Sequence, residues 1–285
     1  MTTILDALQK GTGYLEKHGV ESARLNMQHL LAQVVKCDRM QLYVSFDRPL
    51  DEPELEELRR LMKERANGTP LQHLLGTTEF FGKEFLCDER ALIPRPETEH
   101  LVDVLSQMDW PKGVRIADVG TGSGVIGISL GIALRDQEPM VVLADVSGDA
   151  LSLAKENVDR LTEDLDGCNL QLVESDLFTS LDGEFDLLVA NLPYIAKGEI
   201  NDLSREVKRD PLLALDGGTE GTELMERFLA ESRSHLAGNG MVAMEFGLGQ
   251  APELEAIAKR NGFQDVRILK DLEGTERILL ARKAN

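Results

Sequence analysis

The sequence predicts an α/β protein, a doubly wound parallel sheet preceded by a small helical bundle. Three observations carry this. Apolar residues recur at three- and four-residue intervals through the first quarter of the chain, as on helices that bury one face. From Val114 onward, short apolar runs alternate with helical segments, the pattern of parallel strands joined by crossover helices. A glycine-rich turn, Gly120-Thr121-Gly122-Ser123-Gly124, joins the first of those strands to the helix that follows.

Residues 1 to about 75 form the helical part. Ile4, Leu5, Leu8 and Leu15, then Leu25, Leu30, Leu31, Val34 and Val35, then Leu55, Leu58, Leu61 and Met62 keep the helical spacing. Asp51-Glu52-Pro53-Glu54 is a helix start, with proline in the first turn and acids at the positive end of the dipole. Asn67-Gly68-Thr69-Pro70 stops that helix. By itself this region reads as a bundle without chemistry, or as the part that docks a substrate. Residues 76–100 differ. Glu79 to Cys87 places phenylalanines on either side of Gly82, a strand-turn-strand hairpin linking two domains. The two prolines of Ile93-Pro94-Arg95-Pro96-Glu97-Thr98-Glu99 give an extended segment, read as a rigid linker. The alternative is a lid over a ligand pocket, with Arg95, Glu97 or Thr98 at its rim. Thr98-Glu99 opens a helix over His100 to Met108.

Residues 101–285 carry the sheet. Strands are expected at Val114–Val119, Met140–Ala144, Leu170–Val173, Phe185–Ala190 and Gly240–Glu245. Helices are expected at Ser123–Leu134, Ala150–Leu161, Thr222–Leu236 and Ala251–Asn261. Phe263–Leu269 and Arg277–Ala281 flank the turn Asp271-Leu272-Glu273-Gly274, so they read as an antiparallel hairpin at the sheet edge.

Composition bounds the function. The chain has 285 residues, 42% of them hydrophobic, enough for a sizeable core and two domains. No apolar run is long enough for a transmembrane helix, and the start lacks a signal peptide's basic and apolar regions. Three cysteines lie far apart and the five histidines show no ligand spacing, which suits a reduced cytoplasmic protein and argues against zinc. The net charge is −19, of which residues 1–75 contribute only −1 and the remainder −18. A protein that tracks a phosphate backbone needs a basic groove, so a nucleic-acid substrate is disfavoured.

The motifs narrow the chemistry. Glycines in the turn let the backbone approach a ligand closely. Gly122, Gly124 and Gly127 also satisfy the dinucleotide spacing, and Asp145 sits where an acid binds ribose hydroxyls, so dinucleotide binding is a rival here. Asp118, which precedes the turn, fits S-adenosylmethionine better: a methionine ammonium wants a carboxylate nearby, whereas a pyrophosphate is repelled by one. Asp176 is a candidate for the exocyclic amine of adenine, with Leu177 or Phe178 against the ring. Asn191-Leu192-Pro193-Tyr194 then breaks the tie. A dehydrogenase needs a proton donor, and no histidine lies between Gly120 and Ser234. An amide or aromatic amine nitrogen is instead a poor nucleophile that must be held by carbonyl acceptors, here the Asn191 side chain and the Leu192 main chain, with Tyr194 as an aromatic wall. The whole points to methyl transfer onto a planar nitrogen.

The chain resembles the bacterial release-factor glutamine N5-methyltransferases. The resemblance runs nearly end to end, through Pro70 to Gly76, Phe81 to Phe85, Leu92 to Glu99, Asp118 to Gly124, Asp145, Ser175-Asp176, Asn191 to Tyr194, Pro211 to Leu215, Gly217 to Gly221 and Asp271 to Arg277. It implies a class I methyltransferase fold, Rossmann-like with a seven-stranded sheet, behind an N-terminal helical bundle and a β-hairpin linker. It also implies S-adenosylmethionine at Gly120 to Gly124 and Asp145, and the glutamine of a release factor's Gly-Gly-Gln motif at Asn191 to Tyr194. Two departures stand out. Position 192 is Leu where the family usually has Pro, which gives up a fixed φ but keeps the main-chain carbonyl. Asp210 replaces the usual Glu before Pro211 and shortens its reach. Methyltransferases of nucleic-acid amines, a ribosomal-protein glutamine methyltransferase and a non-enzymatic S-adenosylmethionine-binding regulator remain the alternatives.

Overall fold

In a computed structural model that describes residues 1–284, the N-terminal helical signals become α1 (Ile4–Lys17), α2 (Ala23–Val35), α3 (Gln41–Val44), α4 (Glu52–Ala66) and α5 (Leu71–Leu75). Two of them start on reciprocal caps: Thr3 with Asp6 before α1, and Asp51 with Glu54 before α4, where Pro53 occupies the first turn. Ile4, Leu8, Leu15, Leu30, Leu31, Leu58 and Leu61 are buried together as expected. Leu25 is not; it is 42% exposed, and Met27 fills the inward position. A Cβ on Gly11 would lie 2.3 Å from Met27 Sδ, so the glycine is what lets α1 and α2 approach.

Residues 204–209 group with this helical unit, although they lie far along the chain. Arg65, buried on α4, donates from Nε to Asn26 Oδ1 at 2.6 Å and pairs through Nη2 with Glu206 Oε1 at 2.6 Å. Glu206 is partly exposed and rehydrates easily, but Asn26 is buried and would lose its donor. Arg65→Ala should therefore destabilise this unit by about 2 kcal/mol, the cost of an orphaned buried acceptor plus lost packing. A denaturant titration with a midpoint unchanged from wild type would contradict this.

The second unit, from Thr78, opens on the hairpin of β1 (Thr77–Phe80) and β2 (Lys83–Leu86). Its turn residues Phe81 and Gly82 both have positive φ, +49° and +71°, the twist that a two-residue hairpin turn requires. Phe80 and Phe85 meet edge to face and are buried in the same apolar cluster as the central sheet. The hairpin thus contributes to this unit's core. Helix α6 (Pro96–Ser106) starts two residues before Thr98, because Pro96 suits the first helical turn.

The remaining elements are β3 (Arg115–Val119), α7 (Val125–Ala133), β4 (Met140–Asp145), α8 (Gly148–Arg160), β5 (Asn169–Glu174), β6 (Phe185–Asn191), β7 (Ile195–Ala196), β8 (Asp216–Gly218), α9 (Glu223–Ser232), β9 (Leu236–Glu245), α10 (Ala251–Arg260), β10 (Phe263–Lys270) and β11 (Glu276–Lys283). The large sheet has seven strands in the order β10-β11-β9-β6-β3-β4-β5. Strands β9, β6, β3, β4 and β5 are parallel, and β11 runs antiparallel between β9 and the edge strand β10. One apolar cluster fills each face. The expected helix through Leu236 ends instead at Ser232, and β9 starts at Leu236 rather than Gly240. There the ladder slips between the pairs Phe185–Leu236 and Leu187–Met241, so glycines that read as a turn sit inside a strand. The parallel pair β7–β8 is too short to leave a strand pattern in the sequence. Among the described residues, no helix is long and apolar enough to cross a membrane.

Candidate active site

Parallel topology brings the carboxyl ends of β3, β4, β5, β6 and β9 to one edge, the usual place for a ligand crevice. A cleft of 360 Å³ opens there, within the second unit. Gly120, Thr121, Gly122 and Ser123 form part of its wall, with Asp145, Asp176, Leu177, Asn191, Leu192 and Pro193. The segment from Arg90 to Thr98 supplies another part of the wall, with Arg95 and Thr98 in the lining.

The turn is held by backbone bonds. The amides of Gly120 and Thr121 both donate to the Ala144 carbonyl, at 2.8 and 2.9 Å. Asp145 Oδ2 accepts from the Gly122 amide at 2.8 Å and Oδ1 from Ser147 at 2.9 Å. Burial pushes the Asp145 carboxyl up, and these backbone donors oppose that. Two expected ligand contacts move. Asp118 does not line the cleft; it lies fully buried behind the turn, where Oδ2 accepts from Thr121 Oγ1 at 2.6 Å and from the Gly127 amide at 2.8 Å. Burial raises its carboxyl to about 6. Gly124 is also off the wall: a Cβ there would lie 2.8 Å from Ile128 and 3.3 Å from Ala154, so it serves packing behind the turn. Asn157, buried on α8, ties the Ser123 carbonyl to the backbone of Leu86.

Beyond β5, Asp176 pairs with Arg227 Nη2 at 3.2 Å and Leu177 lines the cleft in a left-handed conformation, φ +50°. Phe178 turns away. It stacks on His235, with centroids 5.0 Å apart, inside the core, which leaves Leu177 alone to face a ring.

The tetrapeptide after β6 divides between cleft and core. Asn191 Nδ2 donates to Thr98 Oγ1 at 3.1 Å, and Thr98 Oγ1 donates to Glu245 Oε2 at 2.6 Å. Leu192 is buried, and a Cβ on Gly120 would lie 2.7 Å from its Cδ2. Its side chain therefore packs over the glycine turn, a role beyond the carbonyl expected from sequence. Pro193 lines the cleft, whereas Tyr194 does not; it packs on the core and its carbonyl accepts from Gln250 Nε2 at 3.0 Å. Gly217, Gly221 and Gly247 close tightly on it. Asp210 reaches its partners despite its shorter side chain, accepting from Arg95 Nη2 at 2.7 Å and from the Ile93 amide at 3.3 Å. Burial lifts its carboxyl to about 6. Glu245, Gln250, Asn157 and Arg227 were missed from sequence. Only Glu245 carried a signal, an acid closing an apolar run as Asp145 does.

The lining distinguishes between cofactors. Arg90, Arg95 and Arg227 in the cleft wall are each matched by carboxylates, from Asp88 and Glu156, Asp210, and Asp176 respectively. A pyrophosphate finds no unmatched guanidinium there. Asp118 Oδ1 is buried without a partner among the described residues, leaving negative charge under the turn one donor short. Carboxylates in the wall, Asp145 and Asp176, suit a ligand bearing an ammonium and a sulfonium, and Asp145 suits its ribose.

Comparison with known proteins agrees. Residues 6–76 match the family profile "PrmC N-terminal domain", and residues 96–208 match "Methyltransferase small domain". The release factor glutamine methyltransferase of Rhodopirellula baltica is 36% identical, covering 99% of this chain and 97% of that protein. The one from Geobacter sulfurreducens is also 36% identical, over 98% and 96%. The chain belongs to the release factor glutamine methyltransferase family. It is an S-adenosylmethionine-dependent methyltransferase with the class I fold. The hMettl16 catalytic domain shares that fold at 18% identity, with a TM-score of 0.60 over 77% of this chain and 84% of the other.

Proposed function

We propose that this enzyme methylates the side-chain amide nitrogen, N5, of the glutamine in the Gly-Gly-Gln motif of peptide-chain release factors, in the cytoplasm, in support of translation termination. The observation that carries this reading is the end-to-end extent of the similarity to relatives named for release factors, helical unit included. Residues 1–75 are assigned to docking the protein substrate, residues 76–100 to the join, and residues 101–285 to transfer. The acid excess of the catalytic part speaks against a nucleic-acid substrate.

The bound cofactor supplies an electrophilic methyl group on sulfur. The chain supplies position. Gly120 to Ser123 and Asp145 would hold the cofactor, Asp145 as acceptor for the ribose hydroxyls, with Asp176 and Leu177 for the adenine. Asp118 and Gly124, first read as cofactor contacts, support the turn from behind. The Asn191 side-chain carbonyl and the Leu192 main-chain carbonyl accept the two N–H bonds of the glutamine amide, with Pro193 beside them and Tyr194 bracing the loop. The methylated nitrogen is transiently cationic and very acidic, so it loses its proton without a strong base.

The test is incubation with labelled cofactor and release factor, its Gly-Gly-Ala variant, ribosomal protein, DNA or RNA. Label should enter the release factor and vanish with the Gly-Gly-Ala variant; label confined to ribosomal protein or nucleic acid would overturn the assignment. Asp145→Ala should weaken cofactor binding about 10- to 100-fold by calorimetry, since hydrogen bonds to a charged acceptor contribute about 1.5–3 kcal/mol. An unchanged affinity would remove Asp145 from the site.

A further inference from the structure

Asn191 and Glu245 end adjacent parallel strands and stand side by side in register. Thr98, buried on α6, bridges them, and Glu245 is 2% exposed at the far end. A hydroxyl has one hydrogen to give. At 2.6 Å an ionised Glu245 takes it, so toward Asn191 the Thr98 oxygen can only accept. Asn191 must then offer its NH2 to Thr98, and its carbonyl is left to face the cleft.

We propose that Glu245 and Thr98 are positioning residues that set which way the Asn191 amide faces, so that its carbonyl and not its NH2 meets the acceptor nitrogen. The proposal rests on the reading of Asn191 as an acceptor-binding residue. It supplies what a lone asparagine lacks. An amide is nearly symmetric in shape, and a flipped one would set donors against the donors of the glutamine NH2. The Glu245 carboxylate, reached through Thr98 and itself favoured by the Asn191 amide, removes that ambiguity, because it can only accept.

The device is sensitive to protons. Burial pushes the Glu245 carboxyl up to about 7; Glu97 on α6 disfavours its charge further, while Thr98, Arg277 on β11 and Asn191 favour it. The Tyr194 phenol faces it too and is itself raised by burial and by the Glu245 charge. A protonated Glu245 can donate to Thr98, freeing the hydroxyl hydrogen for the Asn191 carbonyl and permitting the flipped amide. As pH rises through about 7 the carboxyl ionises, the flip is forbidden and turnover rises.

The experiment is single-turnover methylation of release factor at saturating cofactor, across pH, for wild type, Glu245→Gln, Thr98→Val, Thr98→Ser and Asn191→Ala. The wild-type rate should climb up to about tenfold per pH unit before a plateau. Glu245→Gln is isosteric but can donate or accept, so it should lose this limb and run flat, about tenfold below the plateau, with cofactor affinity unchanged. Thr98→Val should behave alike, and Thr98→Ser should restore both limb and plateau. Should Thr98→Val not fold, as judged by its melting curve, Glu245→Gln decides alone. A Glu245→Gln enzyme that keeps the wild-type limb and plateau overturns the relay. If Asn191→Ala is slow while that holds, only the relay falls; if Asn191→Ala is as fast as wild type, the reading of Asn191 falls with it.

Discussion

Replacing Asn191 by alanine should cut turnover about 100-fold or more while leaving cofactor binding nearly intact. An amide lone pair is delocalised into its carbonyl, so the nitrogen attacks only if held in line and if the charge growing on its N–H bonds is met. A preorganised acceptor in a cleft is worth about 2.7 kcal/mol or more at that point. The Asn191 side chain ends β6 beside Thr98, with its amide N–H already engaged, so its carbonyl is committed before substrate arrives. Cofactor contacts are assigned to Gly120 to Ser123, Asp145, Asp176 and Leu177, which do not depend on that carbonyl. Calorimetry with the cofactor and single-turnover kinetics separate the two effects. Wild-type-like turnover would take Asn191 out of the mechanism.

Gly221→Ala should be comparably damaging, although Gly221 does not line the cleft. Its φ is +85°, and an added Cβ would lie 2.5 Å from the Tyr194 carbonyl oxygen and 3.0 Å from the Ala196 amide nitrogen. Both are backbone atoms, so neither can swing aside as a side chain does. The Tyr194 carbonyl is also held by Gln250 Nε2, which donates to Gly221 as well at 3.3 Å. Pushing Tyr194 away breaks that clamp and shifts Pro193 and Leu192 with it. A loss of about 2–4 kcal/mol is expected for such strain in a packed site, together with a fall in turnover on the order of 100-fold, because displacements near 1 Å misalign the reacting atoms. Gly198→Ala is the control, since a Cβ there meets nothing within 4 Å. Equal melting temperatures and rates for the two variants would refute the clamp.

Both predictions concern residues whose importance was unequally visible beforehand. The acceptor role proposed for Asn191 is legible in the sequence because the residue sits in a short polar motif directly after an apolar strand, and strand ends carry the chemistry of this topology. Asp145 was legible for the same reason, and the glycine turn because positive φ at Gly120 and Gly122 is a local demand. Gly221 was visible as part of a glycine-rich segment, but nothing nearby in sequence says that Tyr194 presses against it. Phe178 and Leu177 are neighbours with similar apolar character, and only the packing of His235 and Phe228 draws one inward and leaves the other at the cleft. Asp118 read as a ligand contact because it precedes the turn, yet the Thr121 hydroxyl and the Gly127 amide claim it from behind.

The order of the long helices and of the seven strands of the large sheet, and the glycine turn, follow from the sequence by itself, because apolar period, caps and glycine conformations act over a few residues. The tertiary structure alone decided which polar groups at the strand ends face the cleft and which are locked behind it. Thr98 and Glu245 lie 147 positions apart and become hydrogen-bonded only when α6 packs beside β9. The direction of that bond then sets the Asn191 amide, and no local pattern encodes it.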